Sequence, residues 1–303
     1  MTSVPRQLQL ILTSGSEDYE LLDSGDGRKL ERFGSVVVDR PERQALWKPA
    51  LSPQQWRRAH AVFSASGEDE EKGRWRVDMP VPEVWPVEVM GARMMCRLQG
   101  LWHLGLFPEQ LPHWQWMVER IAEAKKRGEE RPRVLNLFGY TGAASLIAAA
   151  QGAEVTHVDA SKKAIAWAKE NQSASKLDAA KIRWMLDDAA KFVAREVRRG
   201  NTYHVILIDP PKFGRGPKNE TWDLFESLPG FLADCGQLLA PKNSAFILTV
   251  YAIRASALAF GQLADQVTRG KGGQMEIGEL AIEPSGRGNA VPTSLFVRWW
   301  RND

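Results

Sequence analysis

Cysteine is scarce in this chain: Cys96 and Cys235 are the only two among 303 residues. Two thiols cannot make a disulfide framework or fill a four-ligand zinc site. The sequence therefore reads as a protein of a reducing, cytoplasmic compartment, with no metal expected and each cysteine a small buried hydrophobe. Long apolar runs are also missing, and none reaches the roughly 20 residues of a membrane span. Residues 1–20 lack the basic start and apolar stretch of a secretory signal, so no membrane partner is expected. Internal repeats and low-complexity tracts are absent. Charge of one sign is barely in excess, with 40 Lys and Arg against 37 Asp and Glu. A net +3 permits a nucleic-acid partner without requiring one.

What is present centres on residues 133–159, RVLNLFGYTGAASLIAAAQGAEVTHVD. Val134 to Phe138 is an apolar run too short for a helix and rich enough for a buried parallel strand. Gly139-Tyr140-Thr141-Gly142 makes a turn, residues 143–151 a small-residue helix, and residues 154–158 a second strand ending at Asp159. Strand, glycine turn, helix, strand, acid is a βαβ unit suited to an adenosine-bearing ligand, the acid accepting both ribose hydroxyls. The turn lacks the third glycine of G-x-G-x-x-G. It offers few free N–H groups for a pyrophosphate, which argues against a nicotinamide dehydrogenase and for adenosine without a diphosphate.

The alternation continues downstream. Strands are expected at 181–185, 203–208, 244–250, 275–282 and 294–300, with helices at 112–126, 162–174, 189–199, 255–268 and within 223–239. Strands alternating with helices predict an α/β domain over 93–303, with ligands at the C-terminal strand ends. Residues 1–92 are of another character. Short β-like pieces at 8–13, 19–23 and 35–39 are separated by turn clusters and prolines. This reads as a small β-rich domain with tryptophans in its core, a hairpin turn at Ser24-Gly25-Asp26-Gly27 and a charged loop tip at 67–73.

Three acids fall where strands end: Asp159, the pair Asp187-Asp188, and Asp209. In an open α/β sheet such positions share one crevice, although Asp187 or Asp188 can equally cap the next helix. Asp209 runs into Pro210, Pro211, Lys212 and Phe213. Two prolines fix φ and remove two donors, giving a rigid turn fit to position an amine or ring nitrogen.

These segments together (NLFGYTG, THVDAS, LDD and IDPPKFGRG) resemble class I S-adenosylmethionine-dependent methyltransferases. They are most similar to the bacterial large-subunit ribosomal RNA cytosine-C5 enzymes. The resemblance implies a seven-stranded, mostly parallel sheet with helices on both faces and an antiparallel last strand. It implies S-adenosyl-L-methionine as cofactor, surrounded by Phe138, Tyr140, Thr141 and Gly142. Asp159, with Ala160 beside it, would hold the ribose, Asp187 or Asp188 would lie near the adenine, and Phe107 and Gln110 would face the cofactor from the preceding segment. Asp209, Pro210, Pro211 and Lys212 would line the transfer site, Asp209 also touching the cofactor.

One part of the pattern is missing. The cytosine enzymes carry a cysteine after the fifth strand, because C5 becomes nucleophilic only after a thiolate adds to C6. Here that position reads Leu248-Thr249-Val250-Tyr251-Ala252. Transfer to a base nitrogen or another acceptor that needs no covalent step is expected instead. RNA, ribosomal above all, is the expected substrate, with Phe213 or Tyr251 stacking on an extruded base and Lys212, Arg215 and Lys218 meeting phosphates. A small-molecule or protein substrate, or an inactive RNA-binding protein, are the alternative readings.

Overall fold

The computed structural model describes residues 4–5, 7–66, 69–251 and 253–302. It forms two compact units. One comprises Met1–Ile11, Pro112–Leu280 and Ser294–Asp303, and the other Leu12–Leu111 with Ala281–Thr293.

The large unit is built on a sheet whose strands run, side by side, Gln9–Thr13, Gln274–Ile282, Val291–Arg301, Ser244–Tyr251, Val205–Ile208, Arg133–Leu137, Glu154–Asp159 and Ile182–Leu186. The last five of these are parallel, and Val291–Arg301 lies antiparallel to Ser244–Tyr251. The central strand Val205–Ile208 is wholly buried, as its VILI run requires. Helices Leu111–Lys126, Ala143–Ala150, Lys162–Ala174, Ala189–Arg199, Leu224–Gln237 and Ala257–Thr268 connect the strands. Ser161, Asp188, Asp223 and Ser256 cap four of these helices with side-chain oxygens.

The sheet has eight strands where seven were expected. The extra one, Gln9–Thr13, belongs by its sequence to the β-rich N-terminal text. Strand periodicity says which face is buried but not which sheet a strand joins. Its neighbour admits it closely, since a Cβ on Gly278 would lie 1.8 Å from the Gln9 carbonyl oxygen.

In the other unit, Tyr19–Gly25, Arg28–Phe33, Val36–Pro41, Ala61–Ser66 and Asp69–Val77 form a five-stranded sheet, and Trp85–Val89 pairs with Ala92–Cys96. Asp26 and Gly27 have φ of 50° and 75°, the two left-handed residues of a tight hairpin turn. Of the four tryptophans expected in the core, Trp85 is buried and Trp47, Trp56 and Trp75 are half-buried. Indole N–H groups of Trp47, Trp56, Trp75 and Trp85 donate to Ser24, Asp23, Leu101 and Phe33. The expected loop tip at 67–73 is corrected in part: residues 67 and 68 lie outside the described residues, and from Asp69 the chain is already strand. Beneath this sheet Arg40 is buried and bonds Glu31 at 2.8 Å. Tyr19 donates to Glu31, also at 2.8 Å. Lys29 stands 3.4 Å from Glu42.

Candidate active site

Register decides whether the strand-end acids share a hollow. Leu137 is paired with Val158 on one side and with Ile208 on the other. One residue further, Asp159, Phe138 and Asp209 therefore stand level on three adjacent strands. Asp159 and Asp209 flank the end of Arg133–Leu137 at about 10 Å, two strand spacings. The chain leaves Arg133–Leu137 between neighbours reached in opposite directions along the sheet, which is where open α/β sheets bind ligands.

The loop between is unusual. Phe138 and Tyr140 have φ of 57° and 50°, left-handed values that non-glycine residues rarely adopt, and Gly142 has φ 88°. The Phe138 ring packs on Trp222 and Phe231 at 5.0 and 5.7 Å, so its backbone rather than its ring faces the strand end. The Tyr140 ring stands 6.0 Å from Trp167. Tyr140 N–H donates to Asp159 Oδ2 at 2.9 Å, and Ser161 N–H to Oδ1 at 2.7 Å, across Ala160. Burial nonetheless raises the Asp159 pKa, although both backbone bonds oppose the shift. The Thr141 carbonyl accepts from Asn171 at 2.9 Å, and Gly142 begins the helix Ala143–Ala150.

Beneath this loop lies a polar chain that sequence reading missed. Asn136 donates to Ser145 at 2.9 Å, and Ser145 meets His157 Nδ1 at 2.9 Å. All three are buried, and burial brings the His157 pKa down to about 3. The imidazole ring also stands against Trp184, with centroids 4.6 Å apart. A Cβ on Gly139 would come within 2.5 Å of this imidazole, so the polar chain and the glycine together set how low the loop sits. The only sequence signals were a lone Asn in an apolar strand and a His in the middle of the next.

The other expected residues are placed as follows. Asp188 caps the helix Ala189–Arg199 through Lys191 N–H at 2.9 Å, and Asp187 pairs with Arg195 while accepting Asp188 N–H. Pro210 is buried, and Asp209 is half-buried at the strand end. The Pro211 carbonyl accepts from the Trp222 indole at 2.7 Å and the Lys212 carbonyl from Leu224 N–H at 3.0 Å. Those two carbonyls hold a small hairpin, Phe213–Arg215 against Thr221–Asp223, that the sequence did not reveal. Phe213 projects from it, 63% exposed, with the Lys212 ammonium 5.4 Å over its ring. Arg215 and Lys218 are exposed on the same hairpin. Tyr251 is half-buried at the end of Ser244–Tyr251. Ala252 lies outside the described residues. Phe107 and Gln110 lie in the other unit, where Phe107 precedes a short 3-10 turn and Gln110 closes it.

Both cysteines are buried, and burial raises the Cys96 thiol to about 12 and Cys235 well above its ordinary value. Among the described residues no cluster of three metal-ligating side chains occurs, and no helix is long and apolar enough to cross a membrane.

Comparison with known proteins agrees with this fold. The family model for S-adenosylmethionine-dependent methyltransferases matches residues 36–264. The chain is 30% identical over 216 residues to ribosomal RNA large subunit methyltransferase I of Cronobacter sakazakii, covering 66% of this chain and 52% of that protein. It is 36% identical over 155 residues to ribosomal RNA large subunit methyltransferase K/L of Shewanella baltica, covering 50% of this chain and 20% of that one. The match thus spans about half of one curated relative and a fifth of the other. The crystal structure of a SAM-dependent methyltransferase from Agrobacterium tumefaciens matches with a TM-score of 0.93 at 46% identity, covering 99% of this chain and 96% of that one.

Proposed function

The chain belongs to the S-adenosylmethionine-dependent methyltransferase family, and from that premise we propose that it methylates ribosomal RNA on a nitrogen or other acceptor that needs no covalent adduct. The observation that carries the reading is the level placement of Asp159, Phe138 and Asp209 at one sheet edge.

The strand-end residues suit the cofactor. Asp159 keeps lone pairs beyond the two backbone bonds, and a half-buried carboxylate is an apt acceptor for paired ribose hydroxyls. Gly139 lets the loop settle onto His157 and Asn136, where a side chain would force it up. When bound, S-adenosylmethionine supplies an electrophilic methyl on a sulfonium. The chain's own task is then to orient the acceptor in line with that methyl and to exclude water. Asp209 and the rigid Pro210-Pro211 corner hold the acceptor group there, and Asp209 accepts a hydrogen bond from an amine or ring N–H.

An RNA substrate is supported by the hairpin beside that corner. The exposed Phe213 ring offers a stacking face, and Lys212, Arg215 and Lys218 offer charge for phosphates. The names of the curated relatives point the same way. With both thiols buried, attack on cytosine C6 has no nucleophile, so cytosine C5 is disfavoured as the acceptor. Mass spectrometry of ribosomal RNA from cells lacking the protein tests the proposal. One missing methyl, restored by the purified protein on stripped RNA, is the expected result. A complete set of methyls would reject the ribosomal RNA substrate.

A further inference from the structure

At the opposite rim of the same sheet, where the parallel strands begin, a hollow of about 370 Å³ opens beside the C-terminal turn of the helix Ala189–Arg199. Strand register arranges its lining. Glu154 is paired with Arg133, and Thr156 with Arg183. Lys181, immediately before Ile182, extends the row of Glu154 on the far side. Arg133, Glu154 and Lys181 thus form one cross-strand row, and Thr156 and Arg183 stand two residues along on the same face.

The floor is polar and already satisfied. Glu196 accepts from the Tyr203 hydroxyl at 2.7 Å, from Asn201 at 2.8 Å and from Arg199 at 3.0 Å. Its pKa is lowered despite burial, because those three bonds and the nearby Arg183 charge favour the carboxylate. The rim is a different matter. Arg133 donates to the Thr202 hydroxyl, and Arg183 lies over the Phe192 ring at 5.7 Å. No ion pair joins Arg133, Lys181 or Arg183 to a carboxylate among the described residues. Three cations of the lining therefore face two carboxylates, Glu154 and Glu196, and leave one excess positive charge, with Arg199 pairing Glu196 from outside the lining, in a concavity with hydroxyl groups on its floor.

We propose that this hollow is a second binding site, for a phosphate monoester or diester. The excess positive charge matches a phosphoryl group, and guanidinium forks suit its oxygens. The volume falls within the range of small-ligand sites. The source of the phosphate is a free nucleotide or the RNA backbone, and the experiment separates them. The site stands apart from the strand-end acids, so it does not depend on the methyl-transfer reading.

The test is calorimetric titration of the full chain with 5′-AMP and, separately, with a six-residue oligoribonucleotide. Excess S-adenosylhomocysteine is present throughout to occupy the strand-end site. The wild type is compared with the double variant Lys181→Ala, Arg183→Ala. Both residues are exposed, and an unchanged affinity for S-adenosylhomocysteine certifies that the variant is folded. The proposal expects at least a tenfold loss of affinity in the variant. Loss for 5′-AMP identifies a nucleotide site, and loss for the oligomer alone identifies an RNA-backbone contact. Affinities for both probes that are absent in the wild type, or equal in wild type and variant, would overturn it.

Discussion

A methyl group added at Gly139 has nowhere to go, because its carbon would sit 2.5 Å from the His157 ring and 2.9 Å from the Asn136 amide nitrogen. Either the loop rises or the Asn136–Ser145–His157 chain breaks. Gly139→Ala is therefore expected to weaken S-adenosylmethionine binding at least tenfold by calorimetry, with the circular dichroism spectrum preserved. His157 carries a second consequence. Burial lowers its folded pKa from 6.5 to about 3. The unfolded chain takes up a proton near pH 6.5 that the folded chain refuses. The stability contribution is complete above pH 6.5 and is lost as pH falls toward 3, by about 1.4 kcal/mol per pH unit for one proton. The raised Asp159 carboxyl acts in the opposite sense, since the folded state holds its proton to higher pH. Urea unfolding from pH 7 to 4 should show a flatter pH dependence in His157→Gln than in wild type. At this scale the strand-end acids were legible, because buried parallel strands write themselves as apolar runs and their ends are sharp. The polar chain was not, because nothing in a single strand says which side chain across the sheet will meet it.

Among the elements, the hairpin Phe213–Arg215 and Thr221–Asp223 escaped sequence reading because three-residue strands carry no measurable periodicity. Its anchor is legible only in three dimensions, as Trp222 reaches back to the Pro211 carbonyl. Phe213→Ala removes the exposed ring without touching that anchor. It should raise the apparent KM for RNA about tenfold or more, in line with ~1–3 kcal/mol for base stacking, and leave the affinity for S-adenosylmethionine unchanged. Equal KM values for variant and wild type would remove the stacking role. Strand Gln9–Thr13 shows a different limit. Its alternating leucines announced a strand, but membership of the large sheet depends on a strand distant in sequence that has a glycine, Gly278, where the backbones approach.

For the whole molecule, each unit holds its own core. In the β-rich unit the core includes charge. Glu31 is fully buried between Arg40, Lys29 and Tyr19. Alternating charges in a strand read as a solvated face, so the sequence did not announce this network. Removing one member leaves a buried charge unpaired, and Arg40→Leu is expected to cost about 3–5 kcal/mol in urea unfolding. A loss below 1 kcal/mol would mean that water reaches the cluster.

The central claim is that Asp159 and Asp209, level on either side of one strand end, grip the cofactor and present its methyl at the double-proline corner. A crystal structure with S-adenosylhomocysteine bound tests it most directly. The account predicts the ribose hydroxyls on Asp159 and the sulfur directed toward the Asp209–Lys212 turn. Ligand density anywhere else, including the hollow at the opposite rim, with the Asp159 carboxylate untouched, would contradict it.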